Sequence, residues 1–140
     1  MKKNSTMSTT HYQGDLRCHS THLKSGKEVI TDAPTDNNGK GEAFSPTDLL
    51  STSLAQCVLT IMGIKARALG VNIDGATATV VKVMASGPRR VAEIHLSITL
   101  NGSDIDADVR DQLERAGRAC PVAKSLHPDL KQEISFEWES

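Results

Sequence analysis

Between Ser45 and Gly70 the chain reads SPTDLLSTSLAQCVLTIMGIKARALG, and no other stretch limits the fold so strongly. Ser45 is the N-cap this pattern predicts, Pro46 suits the first helical position, and Asp48 completes a capping box at the positive end of the helix. Gly70 is the expected C′ stop. From Leu54 to Ile64 the helix is apolar nearly all round, so it must be covered on most sides. A chain of 140 residues makes one domain with a modest core, and this one has four aromatic residues, Tyr12, Phe44, Phe136 and Trp138. A domain of that size cannot wrap the helix alone, and oligomerisation is the expected remedy.

Around the helix, HYQGDLRCHSTHL and KEVITD read as two strands about a turn at Gly26, followed by a loop dense in Asp, Asn, Gly and Pro. ATATVVKVMAS and VAEIHLSITL flank GPRR and predict a hairpin, with Ile94, Leu96, Ile98 and Leu100 on the buried face of the second strand. SDIDADVRDQLERAGRA is an amphipathic helix with Ser103 as its cap, its acids early and its arginines late, as the dipole favours. CPVAKSLHP is a short helix with Cys120 at or next to the N-cap. KQEISFEWE closes the chain as a strand, with Ile134, Phe136 and Trp138 inward. The order ββ–α–ββ–α–α–β, without repeat or linker, predicts an α+β single domain over residues 11–140 behind a flexible polar tail at 1–10.

Formal net charge is −1 and the basic residues do not cluster, so no nucleic-acid or anionic-membrane surface is expected. The N-terminal stretch lacks the apolar core of a secretory signal, and no run is expected to reach the ~18 apolar residues of a membrane span. Three cysteines without an export signal point to a reducing cytoplasm. No phosphate-binding loop, dinucleotide fingerprint or nucleophile elbow occurs. His19 and His22 are spaced to opposite faces of a strand, His95 and His127 read as surface or satisfied residues, and no ligand spacing suggests a metal or another cofactor.

The cysteines carry the open question of inert core thiols against a redox couple. Cys57 lies mid-helix among Ser53, Leu54, Thr60 and Ile61, which supply no cation, and burial alone would leave it unreactive. Cys120 sits at a helix start, where unpaired N–H groups favour a thiolate. That end is worth roughly 0.3–1 kcal/mol, and about 2 kcal/mol in favourable partly buried geometry. Bringing a thiol from ~8.5 to ~7 takes about 2 kcal/mol, so a cation such as Arg118 or Lys124 would have to turn inward to help. On local grounds Cys120 is the better thiolate. Cys18, beside Arg17 on a strand, reads as a packing residue.

SPTDLLSTSLAQC opening a long helix, with ACPVAKSL some sixty residues later, resembles the OsmC/Ohr superfamily, named for osmotically induced protein C and organic hydroperoxide resistance. The resemblance covers the chain from about Tyr12 and lies nearer the broad OsmC-like branch. It implies antiparallel sheets around a long buried central helix in an intertwined homodimer, with the reactive cysteines near the subunit boundary. It implies a cytoplasmic thiol peroxidase active in oxidative or osmotic stress defence. Cys57 would be the thiolate that attacks an organic hydroperoxide and Cys120 the thiol that resolves the sulfenic acid as a disulfide. Arg17 would hold the thiolate and orient substrate. A dithiol reductant of the lipoyl type would close the cycle, with no metal or organic cofactor.

Two departures bear on that expectation. Hydroperoxidases of the family carry a glutamate ten residues before the first cysteine, where this chain has Thr47. Asp48 lies about 180° round the helix from Cys57 and reads as a cap, while Glu42 in the preceding loop is within conceivable reach. Arg17 alternates with Asp15 and His19, and a solvated strand residue is its other reading. A redox-sensing or ligand-binding protein of the same branch, without efficient peroxidase activity, is therefore the alternative, and purely structural cysteines are the third.

Overall fold

A computed structural model describes residues 4–140. The chain forms two compact units, one up to Leu49 and one from Leu50 to Ser140, with the boundary inside the first turns of the long helix.

The first unit is an antiparallel sheet in the order β1-β2-β3, with β1 at Ser8–Gly14, β2 at Arg17–His22 and β3 at Glu28–Asp32. The sequence predicts one strand from His11 to Leu23; the structure has two, joined by a turn at Asp15 and Leu16. Both residues have positive φ, 54° and 62°, after Gly14 at 106°. That is the primed-turn geometry that matches strand twist, although it is reached here without the usual central glycine. The turn also corrects the expected flexible tail at 1–10, because Ser8, Thr9 and Thr10 belong to β1 and pair with His22, Thr21 and Ser20. Residues 1–3 of that tail lie outside the described residues.

Helix α1 runs Pro46–Leu69. The capping box is reciprocal: the Asp48 backbone N–H donates to Ser45 Oγ and the Ser45 N–H donates to Asp48 Oδ2, each at 3.0 Å. At the other end Gly70 has φ 72°, and the Val71 N–H donates to the Ala66 carbonyl at 3.0 Å in a Schellman closure.

The buried residues of α1 (Ser51, Leu54, Ala55, Val58, Met62 and Ala66) form one stripe at helical spacing. Off that stripe Ile64 is 62% exposed and Leu50 40%. An 18-residue window of α1 has mean hydropathy 1.4, long and apolar enough to cross a membrane by length and composition, against the expectation that no run would be. A core helix meets the same criterion, and the buried stripe is what packs α1 as one.

In the second unit, β4 (Thr77–Ala85), β5 (Arg90–Asn101) and β6 (Lys131–Glu139) form a sheet with β5 in the centre. Ile94, Leu96, Ile98 and Leu100 are each at most 1% exposed, as the alternation predicts, and they pack with Leu54, Val58 and Met62 in one core. β4 and β5 are antiparallel, but β5 and β6 run parallel, because α2 (Ala107–Arg118) and α3 (Pro121–Ser125) make a crossover between them. The cap of α2 is Asp106, not Ser103: Asp106 Oδ1 accepts from the Val109 N–H at 3.0 Å, while Ser103 bonds to Asn101. The helix starts one turn later than expected because Asp106 is as good a cap and lies next to the amphipathic run.

Candidate functional site

Cys120 is the N-cap of α3, with φ −66° and ψ 154°, and its Sγ accepts from the Ala123 N–H at 3.4 Å. Pro121 follows at the first helical position, where it has no N–H to leave unpaired. The side chain is completely buried. Burial pushes the Cys120 thiol up, the Ala123 N–H opposes it, and the hydrogen bond to Cys57 raises it further. The local expectation of Cys120 as the better thiolate is thereby overturned: one turn of α3 offers less than desolvation removes. Nor does either candidate cation, Arg118 or Lys124, turn inward. Arg118 stacks over the Phe136 ring, 5.0 Å from its centroid, and Lys124 is exposed.

Cys57 meets this buried thiol from α1. It is half-buried, packs against the same core, and shares the hydrogen bond with Cys120. Both are free cysteines. Two sulfurs that are sixty-three residues apart in sequence are thus in contact, one accessible and one sealed, and the sealed one keeps its proton to offer its neighbour. The helices approach closely at Gly117, one turn before Cys120 and buried: a Cβ there would lie 2.9 Å from Met62 Cγ and 3.0 Å from Val58 Cγ1. A glycine lets the end of α2 close onto α1 beside Cys57.

The raised Cys120 thiol makes a prediction about stability. Above the ordinary thiol range, about pH 8.5, the unfolded chain releases this proton while the folded chain retains it, so stability falls as pH rises. Urea midpoints taken between about pH 7 and pH 10 are expected to decline, and Cys120→Ser to flatten the decline. Parallel curves for the two proteins would contradict it.

Arg17 belongs to the first unit. It opens β2 directly across from Asp32, the last residue of β3. Its Nε donates to Asp32 Oδ1 at 2.7 Å and its Nη2 to Asp32 Oδ2 at 2.9 Å, a fork matched to a carboxylate. Nη2 also donates to Glu42 Oε1 at 2.9 Å. Asp32 is 1% exposed, and the Arg17 hydrogen bonds hold its carboxyl below the usual carboxylate range in spite of burial. Arg17 is therefore a paired residue at 20% exposure, not the solvated one its alternation with Asp15 and His19 allows.

The sequence pattern of the OsmC-like protein family matches residues 39–135. The chain belongs to the OsmC-like family. A solved structure of a candidate osmotic stress induced and detoxification response protein from Psychrobacter arcticus 273-4 is 54% identical, covering 96% of this chain and 98% of that one at a TM-score of 0.91. The organic hydroperoxide resistance protein OsmC from Legionella pneumophila shares the fold at 14% identity and a TM-score of 0.74, covering 98% of this chain and 99% of that one. So does an organic hydroperoxide resistance protein from Elizabethkingia anophelis, at 14% identity and 0.75, with 99% of each chain covered. A comparison with curated proteins found no match.

Within this OsmC-like chain, Glu42 meets the arginine where the family resemblance would put an acid at Thr47. Thr47 instead bonds Ser45 Oγ at 3.2 Å, and Asp48 serves the cap. Asp32 is the residue that reasoning from sequence missed. Its signal is the strand register, which pairs the D of KEVITD with the R of GDLRC once the closing pair of the turn at Gly26, His22 with Lys27, is known. Cys18 is half-buried in β2 opposite Tyr12 and Thr31. His19 lies 3.2 Å from Glu28, and His22 bonds Ser25 at 2.6 Å. Among the described residues no three His, Cys, Asp or Glu are placed to hold a metal.

Proposed function

We propose that this OsmC-like protein is a cysteine-based thiol peroxidase for organic hydroperoxides in oxidative or osmotic stress defence. The observation that carries the reading is the asymmetric sulfur pair. A hydroperoxide arriving from solvent meets Cys57, and the buried, protonated Cys120 is already in contact to resolve the product. Cys57 thiolate attacks the distal peroxide oxygen: an S–O bond forms, the O–O bond breaks, and the alkoxide leaves and takes up a proton as the alcohol. The Cys120 sulfur then displaces water from the Cys57 sulfenic acid to form the disulfide. An external dithiol of the lipoyl type returns two electrons and two protons.

Arg17 serves as the guanidinium that holds the thiolate and orients the peroxide, in a homodimer whose assembly covers the open apolar side of α1. The exposed Ile64 and Leu50 support that assembly, and the names of the Legionella and Elizabethkingia relatives support the substrate class. A cytoplasmic setting provides the reductant.

A second reading keeps one specific observation: Thr47 stands where the family's peroxidases carry an acid, which suits a redox sensor or ligand binder of the OsmC-like branch. Rapid mixing with cumene hydroperoxide separates the two. The peroxidase reading expects a fast second-order oxidation followed by a Cys57–Cys120 disulfide in the peptide map. Slow oxidation with the same disulfide favours the sensor, and no disulfide at all leaves structural cysteines.

A further inference from the structure

We propose that Asp32 is the positioning residue of this site: one buried carboxylate fixes the Arg17 guanidinium and the Glu42 loop together, in place of an acid on α1. The inference rests on the peroxidase reading for the role of Arg17, and on the first unit's own geometry for the rest. Both carboxylate oxygens of Asp32 are engaged, Oδ1 by Nε and Oδ2 by Nη2 of Arg17, and Oδ2 also accepts the Glu42 backbone N–H at 3.1 Å. Its own backbone N–H donates to the Phe44 carbonyl at 3.0 Å, so Asp32 ties the loop down on both sides of Ala43.

The loop is wound tightly back to reach it. A Cβ on Gly39 would fall 1.8 Å from the Ala33 carbonyl oxygen, and Gly41 has φ +62°. The result is a guanidinium with its Nε–Nη2 edge filled, while Nη1 has no hydrogen-bond partner among the described residues. Nη1 is the donor that this geometry leaves for an anionic partner.

Two carboxylates touch this guanidinium, and exposure distinguishes them. Glu42 is 68% exposed, so solvent screens its contact and its side chain is free to leave. Asp32 is 1% exposed and bidentate, which fixes direction as well as charge. Asp32 therefore sets where Nη1 points, and Glu42 adds to a geometry already determined.

Asp32→Asn and Glu42→Gln test this against wild type, with folding checked by circular dichroism. Two rates are read: single-turnover oxidation of Cys57 by cumene hydroperoxide, and alkylation of Cys57 by iodoacetamide at neutral pH. Asp32→Asn is expected to slow oxidation by about 10²-fold, the effect of displacing a catalytic group by ~1 Å. Glu42→Gln is expected to slow it about 5-fold at most. Alkylation supplies the sign that a mere charge effect would reverse. Deleting a negative charge without moving the arginine favours the thiolate and speeds alkylation, whereas a misdirected guanidinium slows it.

Wild-type or faster alkylation in Asp32→Asn overturns the proposal, as does a larger effect from Glu42→Gln. If Asp32→Asn does not fold, Asp32→Glu takes its place, since it keeps the charge but moves the carboxylate. Wild-type rates in that variant overturn the proposal too. A wild-type protein that ignores the hydroperoxide while Asp32→Asn still slows alkylation defeats the peroxidase reading and leaves Asp32 as the arginine's anchor.

Discussion

Serine at Cys57 is expected to bring hydroperoxide consumption down to background, a loss of roughly 10³-fold or more, since an un-ionised hydroxyl replaces the attacking sulfur. Serine at Cys120 is expected to separate the two halves of the reaction. The accessible thiol stays, so the first equivalent of peroxide is consumed at close to the wild-type rate. The sulfenic acid then loses the thiol that shares a hydrogen bond with Cys57. Turnover with a dithiol reductant falls, and excess peroxide carries Cys57 on to sulfinic acid, visible as a two-oxygen mass increase on its peptide.

The order of these effects follows from exposure: Cys57 is half-buried and Cys120 fully buried. Unchanged turnover in Cys57→Ser would end the peroxidase reading. An initial oxidation lost equally in both variants would remove the assignment of attack to one sulfur and resolution to the other.

What the sequence makes legible here is whatever depends on neighbours along the chain. The capping box at Ser45 and Asp48, the stop at Gly70, the alternation Ile94–Leu100 and the cap at Cys120 are each local patterns, and each appears as read. The errors arise where a distant group decides. Cys120 looks like a thiolate from its own helix, but burial under the core sets its protonation, and burial is not written in CPVAK. Arg17 is ambiguous on its strand until the β2–β3 register sets Asp32 opposite it. That register is fixed by the turn around Gly26, where the His22 N–H donates to the Lys27 carbonyl, and the pattern KSGK marks the turn without fixing which residues close it. The contact between the two sulfurs is itself tertiary: only the family resemblance brings Cys57 and Cys120 together before the structure does.

Gly117 is where that tertiary contact is most open to attack. Replacing it with valine is expected to destabilise the fold by about 1–3 kcal/mol, the ordinary result of overpacking a filled core. The first added carbon already lies 2.9 Å from Met62 Cγ, 3.0 Å from Val58 Cγ1 and 3.1 Å from Met62 Sδ, and both side chains are wholly buried. Alanine provides the control. It adds only that first carbon, Met62 is flexible enough to give way, and the helix gains about 1 kcal/mol from losing a glycine, so its stability should stay near wild type.

Valine adds two further methyl groups against β-branched Val58, which has little rotamer freedom inside a helix, so α2 must move away from α1. Cys120 follows α2 through a single capping residue, Ala119. The valine variant should therefore form the Cys57–Cys120 disulfide more slowly than it forms the sulfenic acid, and the alanine variant should not. Urea midpoints together with the two phases of a peroxide mixing experiment read both effects. A valine variant with wild-type midpoint and wild-type disulfide rate would show that the sulfurs do not depend on this helix approach.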